Sequence, residues 1–106
     1  MAELLRLADL GWEDLQRLCV CGAFGHHLNI AHAQAVGLLP AIDPAAIELH
    51  ADASLAGCEY ALLAGHGAPH FAALTENAQV INLSFVQGYE NRYIDHLRLC
   101  PIPPVG

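Results

Sequence analysis

The spacing of apolar residues changes several times along the chain, and each change predicts a structural element. Leucines recur near helical spacing through residues 1–18 and are interrupted at Gly11, which predicts two short acidic helices. The run LCVCGAF (18–24) is short, apolar and ended by glycine, as is typical of a buried strand. A helix is predicted over IAHAQAVGLL (30–39), with Asn29 as its N-cap.

Apolar and polar residues alternate in two later segments, and both are therefore predicted to be strands. In DPAAIELHA (43–51) the alternating side chains are Ile47 and Leu49 on one side, with Glu48 and His50 on the other. The same alternation in VINLSFV (80–86) predicts a third, half-exposed strand.

The remaining segments predict helices joined by a loop. The first of these helices, SLAGCEYALLAG (54–65), has Asp52 or Ser54 as its N-cap and an apolar line on one face, formed by Leu55, Cys58 and Leu62. The loop GHGAPH, a short helix over FAALTENA and a last helix over YENRYIDHLRL follow. Strands separated by helices predict one α/β domain over residues 1–106, with a small mixed sheet and flanking helices.

Composition and charge exclude several classes of protein. The net charge is −7, with four arginines and no lysine, so neither a nucleic-acid backbone nor a lysine-dependent phosphate loop fits. No apolar run reaches the ~18 residues of a membrane span, and the start lacks the features of a signal peptide. We therefore expect a cytoplasmic protein with reduced cysteines. Because 55% of the residues are hydrophobic, we also expect an exposed apolar face and a possible homodimer.

Two cysteines of the first strand are candidate metal ligands. Cys19 and Cys21 lie on the same side of that strand, and His26, His27 and His32 are close in sequence. Structural zinc sites usually take four ligands, with cysteine pairs from turns, whereas a strand cysteine behaves as a small apolar residue. We therefore predict that both thiols belong to the core and that the chain has no metal site.

Nucleophilic catalysis is supported by no motif. Cys58 with His50, or Ser84 with a distant histidine, could be drawn as a dyad, but no G-x-S-x-G elbow occurs. Asp52 is better explained as a helix cap and Glu59 as part of a solvated helix face. No catalytic residue is predicted.

The glycine turn after the first strand is the remaining candidate. A buried strand, then Gly-Ala-Phe-Gly, then a helix N-terminus lets the backbone approach a ligand at the carboxyl edge of a sheet. Taken alone, this spacing also fits an ordinary connection.

Three motifs in order make the turn more specific. GAFGHHLNI (22–30) resembles the G-x-F-G-x-x-I-N turn of the reductive activators of corrinoid proteins, and AVGLLP (35–40) and ADASLAGCEYALL (51–63) resemble the segments that follow it. With a looser similarity at the C-terminus, the resemblance covers residues 18–101. These activators are iron–sulfur ATPases whose nucleotide-binding part belongs to the actin, sugar kinase and Hsp70 class.

The resemblance implies the C-terminal part of an actin-like (ribonuclease H-like) ATPase lobe. It places Gly22, Ala23, Phe24 and Gly25 beside the adenine and ribose of ATP or ADP, through backbone contacts. The family's Gly-Asn pair before the second helix is replaced here by Ala51 and Asp52. Asp can cap the helix as Asn does, whereas Ala cannot reach a positive φ as readily as Gly.

The same resemblance implies that this chain is a C-terminal fragment of a larger protein. The iron–sulfur cluster and the phosphate-binding motifs are expected in the other parts of that protein, so the chain alone should not hydrolyse ATP. Its partners would be the remainder of its own ATPase lobe and, through the parent, a corrinoid protein used in methyl transfer. The alternative is a free-standing binding or scaffold module without catalytic activity.

Overall fold

The computed structural model describes residues 1–65 and 69–103. In chain order its helices and strands are α1 (Ala2–Leu7), β1 (Leu18–Cys21), α2 (Ile30–Ala35), β2 (Ile47–His50), α3 (Ala53–Ala64), α4 (Pro69–Asn77) and α5 (Tyr89–Asp95). Short 3-10 helices lie between them at Trp12–Asp14, Ala23–His27, Pro44–Ala46 and Leu83–Phe85. The fold is mixed α/β, and part of the predicted loop GHGAPH lies outside the described residues.

The centre of the fold is the unit β1–α2–β2. The two strands are parallel, with Leu18 opposite Ile47 and Cys21 opposite His50. Parallel strands need a crossover connection, and α2 lies within it. Apolar side chains of the strands, of α2 and of the connections form the core: Leu18, Ala33, Leu39 and Ile47 are buried, with Val20, Leu28, Ile30, Ile42 and Leu49 packed around them.

Local hydrogen bonds explain where α2 begins and ends. The Asn29 side chain accepts a hydrogen bond from the backbone N–H of His32 at 2.9 Å, which confirms the predicted N-cap. The helix stops at Ala35, short of the predicted end, and Gly37 follows with a φ of +76°. The Gln34 side chain then donates to the carbonyls of Pro40 and Ile42, each at 2.8 Å, and so fixes the path toward β2.

The predicted third strand is wrong. Residues 80–82 belong to no sheet, and Leu83–Phe85 form a 3-10 helix. The side chain of Asn82 accepts a hydrogen bond from the backbone N–H of Ser84 at 3.1 Å, and this local bond replaces a strand ladder. Within the described residues, the sheet is therefore a parallel pair rather than the predicted mixed sheet.

Polar contacts join the two ends of the chain. The carboxylate of Glu3 accepts hydrogen bonds from Arg92 at 2.8 and 2.9 Å and also from Arg6, and these contacts lower its pKa to about 2. The indole N–H of Trp12 donates to the carbonyl of Pro103 at 3.1 Å. α1 is thereby linked to α5, and the first 3-10 helix to the C-terminal segment.

The side chains of α3 are open to solvent in the part of the chain that the structure describes. Every residue from Ser54 to Gly65 is exposed, so no described residue buries the predicted apolar line along this helix, although the ring of Tyr60 lies 5.9 Å from that of Phe71 in α4. The radius of gyration is 16.3 Å, against about 13 Å for a compact domain of 100 residues. No helix in residues 1–65 and 69–103 combines the length and apolar character needed to cross a membrane.

Candidate functional site

The turn that follows β1 is built by two backbone hydrogen bonds. Gly22 donates its N–H to the carbonyl of His50 at 3.0 Å, and Gly25 donates to the carbonyl of Gly22 at 2.9 Å. The first bond holds the start of the turn against the end of β2. The second starts the 3-10 helix Ala23–His27, which leads to α2.

The two glycines are required for different reasons. Gly22 has a φ of +113°, where an L side chain is strained, although a Cβ there would meet nothing within 4 Å. Gly25 is buried, and a Cβ there would lie 3.2 Å from the carbonyl oxygen of Val20. The missing side chain of Gly25 therefore serves packing within the turn, and the expected contact of its backbone with a ligand stays a prediction.

Phe24 is the most conspicuous side chain of the turn. It is 94% exposed and, together with Ala23, His27, Leu28 and Asn29, lines a shallow pocket. An exposed aromatic ring beside a small apolar depression can stack against a flat ring system. Of the four residues predicted from the resemblance, three are therefore accessible to a ligand, namely Gly22, Ala23 and Phe24.

The start of α3 lies at the same edge of the sheet. β2 ends at His50, two residues before the N-cap of α3, and its carbonyl is bonded to Gly22. The carboxyl ends of two parallel strands thus meet, and that edge is where ligands bind in open α/β sheets. The structure brings together the first and third motifs identified in the sequence.

The face of the sheet opposite α2 carries polar groups and thiols. Cys19 and Cys21 are both exposed there, so the prediction that they are core thiols is wrong. The core side of β1 is occupied by Leu18 and Val20, and alternation turns the cysteines outward. Arg17 donates to both oxygens of the neighbouring Glu48, at 2.6 and 2.8 Å.

Two neighbours hold the Glu48 carboxylate in its ionised form. Hydrogen bonds from Arg17, and secondarily from His50, lower the pKa of Glu48 to about 2. The Nε2 atom of His50 lies 3.0 Å from Glu48 Oε2, and the sulfur of Cys19 lies 3.9 Å from the same oxygen.

A family model described as the C-terminal domain of RACo, the ASKHA domain, matches residues 1–102. The chain belongs to this family. RACo is the reductive activator of corrinoid proteins, so the match confirms the resemblance seen in the sequence, and ASKHA names the actin-like class of fold. The match also includes residues 1–17, which the resemblance had left out. A comparison with curated proteins found no similar sequence.

One departure of this RACo domain from the family's pattern has a structural explanation. Ala51 replaces the glycine before α3, and among the described residues only Asp9 has a positive φ without being glycine. The turn therefore does not need the glycine. Asp52 is the N-cap residue as predicted, yet its side chain makes no capping hydrogen bond within the described residues and its carboxylate is exposed.

A second cavity of the RACo domain was not predicted. It has a volume of about 300 Å³ and lies between α1, α5 and the C-terminal segment, with Glu3, Trp12, Tyr93 and Arg92 among its lining residues. Glu3 and Arg92 are 89 positions apart, and no local pattern in the sequence links them. Their pairing is visible only in the folded chain.

Proposed function

We propose that this RACo domain supplies the adenosine side of the nucleotide site in an ATP-dependent reductive activator of corrinoid proteins. The observation that carries the proposal is the meeting of the turn Gly22–Gly25 with the start of α3 at the carboxyl edge of two parallel strands. Family membership supports the parent's role, because the matching family is a domain of RACo.

Each residue of the turn has a distinct part in this proposal. The backbone of Gly22 and Ala23 approaches the ribose, and the exposed ring of Phe24 stacks against adenine. Gly25 shapes the turn from inside, and Asn29 caps α2 behind it. The exposed contacts with the ligand are therefore assigned to residues 22–24.

The phosphates are expected to find few partners on this chain. There is no lysine, and three of the four arginines pair with carboxylates: Arg6 and Arg92 with Glu3, and Arg17 with Glu48. Charge-assisted contacts to phosphate are the strong ones in nucleotide sites, so we assign them to other parts of the parent. Adenosine, ADP and ATP should bind this chain almost equally, near the millimolar range, which corresponds to about 4 kcal/mol.

The exposed surface of α3 is proposed to contact the remainder of the same ATPase lobe. Leu62 and Leu63 are 82% and 89% exposed, and apolar residues surround α3 rather than gather on one side. A helix of this kind is normally covered on all sides. The matching family is described as the C-terminal domain of RACo, the ASKHA domain, and this description supports the remainder of RACo as the partner.

A nucleotide titration followed by amide chemical shifts tests the turn. Adenosine, ADP and ATP should each shift residues 22–29 with similar dissociation constants. Phe24→Ala should weaken binding about fivefold, because stacking on an aromatic ring contributes on the order of 1 kcal/mol. Phe85→Ala is the matched control, since Phe85 is 87% exposed but belongs to a different segment, and it should bind like the unmodified chain.

Two outcomes would contradict the proposal. Shifts centred on residues 65–70 would place the pocket elsewhere, and a strong preference for ATP over adenosine would show that this chain does grip the phosphates. Gly25→Val should disturb the turn itself, because a Cβ at this position would lie 3.2 Å from the carbonyl oxygen of Val20.

A further inference from the structure

We propose that Cys19, Glu48 and His50 form a binding site for a divalent transition-metal ion on the open face of the two-stranded sheet. One sulfur, one carboxylate oxygen and one ring nitrogen of these residues all lie within 4.8 Å of one another. The site is separate from the glycine turn, and it does not depend on the proposed nucleotide function.

The pairing of the strands brings the three groups together. Cys19 is the register partner of Glu48, and His50 follows Glu48 by two positions on the same side of β2. The sulfur lies 3.9 Å and the histidine Nε2 3.0 Å from the same carboxylate oxygen. With metal–ligand bonds of about 2.0 to 2.3 Å, ligand atoms around one tetrahedral ion lie about 3.2 to 3.8 Å apart. Small side-chain rotations would bring all three groups to those separations.

The ligand types indicate which ions would bind. Thiolate and imidazole favour zinc and its substitute cobalt, whereas magnesium and calcium prefer sets made only of oxygen. Three protein ligands leave a fourth tetrahedral position for water or for a group from a partner. A zinc-type ion is thus the class of ligand that fits this cluster.

Arg17 is a positioning residue: it orients the carboxylate of Glu48 and does not prevent that carboxylate from binding a metal ion. A carboxylate has about four lone-pair positions, so Glu48 can accept from Arg17 and still offer Oε2 to a metal. The bidentate contact fixes the plane of the carboxylate, and hydrogen bonds of this kind orient metal ligands in general. The cluster is also open to entering ions, since Cys19 is exposed and the His50 side chain is 45% exposed.

The exposure of Cys19 removes the reason for expecting no metal. That expectation rested on a thiol embedded in the core, and Cys19 instead faces outward beside two other ligand groups. Cys21 lies on the same side of β1, in register with His50, but its sulfur is not part of the close cluster.

Cobalt titration of the reduced 106-residue chain tests the site. We expect one Co²⁺ per chain, with the near-ultraviolet absorption that arises from charge transfer between thiolate and cobalt, and displacement of Co²⁺ by Zn²⁺. Cys19→Ser should abolish that absorption, and His50→Gln should weaken cobalt binding at least about tenfold, as expected when one ligand of a metal site is removed. Cys58→Ser is the matched control, because Cys58 is an exposed thiol on α3.

The proposal is overturned if the unmodified chain shows no thiolate–cobalt absorption, or if that absorption survives in Cys19→Ser. It is equally overturned if Cys58→Ser removes the absorption or if His50→Gln binds cobalt as tightly as the unmodified chain. Circular dichroism of each variant, recorded without metal, separates loss of a ligand from loss of the fold. Since Cys19, His50 and Cys58 are all exposed, these substitutions should leave the fold intact.

Discussion

The two halves of this RACo domain differ in what surrounds their apolar side chains. In residues 1–50, the strands and α2 bury theirs in one core. Most apolar side chains of the described residues in 53–103 are open to solvent, and no described residue after Ile47 is buried. The overall composition does not explain this, since the exposed half is rich in leucine, alanine and aromatic residues.

The difference indicates which half forms a core of its own and which half needs a neighbour. The first half closes a β–α–β unit and its core within residues 18–50, where Leu18 of β1 pairs with Ile47 of β2. Polar contacts of Glu3 with Arg92 and of Trp12 with Pro103 join the second half to the first. This difference fits the proposed place of the domain in a larger ATPase lobe, where other segments would cover α3.

The largest loss of stability should come from truncating a side chain of the core. Ile47→Ala removes most of a buried side chain and should lower the free energy of unfolding by about 2 to 5 kcal/mol. Leu62→Ala is the matched change in the exposed half, and it should cost less than about 0.5 kcal/mol. Urea denaturation measures both, and similar losses in the two variants would abolish the contrast between the halves.

Self-association should depend on the exposed half. Without the rest of the lobe, copies of the chain are expected to associate through the apolar residues of α3. Leu62→Glu should weaken that association at least about tenfold, because a charge replaces a leucine that would be buried between copies. Light scattering over a concentration series measures the effect, with the exposed polar change Glu59→Gln as control. A chain that stays monomeric at high concentration would refute the prediction.

Acid should weaken the contact between Glu3 and Arg92, which joins the two halves. The pKa of Glu3 is about 2, below its ordinary value of 4.5, because Arg92 and Arg6 hold the carboxylate in its charged form. The unfolded chain therefore binds more protons than the folded chain between these pH values, and the stability that Glu3 contributes above pH 4.5 is lost as the pH falls toward 2. The pKa of Glu48 is also lowered, so its contribution to stability is lost in the same direction of pH.

Urea midpoints at pH 7 and at pH 2.5 measure this loss. Glu3→Gln should reduce the pH dependence of the midpoint, and so should Glu48→Gln, which acts within the β–α–β unit. If Glu3→Gln leaves the pH dependence of the urea midpoint unchanged while Glu48→Gln reduces it, the Glu3–Arg92 contact contributes nothing to the loss of stability in acid.

The smallest effect should be seen at Gly57, in the interior of α3. A Cβ at this position would meet nothing within 4 Å, so Gly57→Ala should favour the helix by about 0.5 to 1 kcal/mol. Because α3 lacks buried contacts, we expect more helical circular dichroism with little change in the urea midpoint. A rise in the midpoint by the full amount would show that α3 unfolds together with the core.

The sequence predicted the first half better than the second for a physical reason. β1, α2 and β2 follow from patterns within a few residues, such as the cap at Asn29 and the alternation around Glu48. The strand predicted at residues 80–86 had the right alternation but no partner strand, and the side chain of Asn82 took up the backbone N–H of Ser84.

The candidate site, too, could be predicted only in part from the sequence. The place of the glycine turn could be predicted, because three motifs in order resemble one family. The separate reasons for Gly22 and Gly25 could not, since one depends on a φ angle and the other on the carbonyl of Val20. The outward direction of Cys19 could have been predicted from the sequence. Side chains alternate along a strand, so Cys19 lies on the opposite side from Leu18 and Val20, which face the core.

The hydrogen bond from Trp12 to Pro103 gives the protein an internal optical probe. The chain has one tryptophan, its side chain is buried, and its indole N–H is held by the last described residue. Release of the C-terminal segment would expose the indole to water and shift its fluorescence to longer wavelength, even while the β–α–β unit stays folded. The emission colour of this single residue therefore reports whether the two ends of the chain are joined.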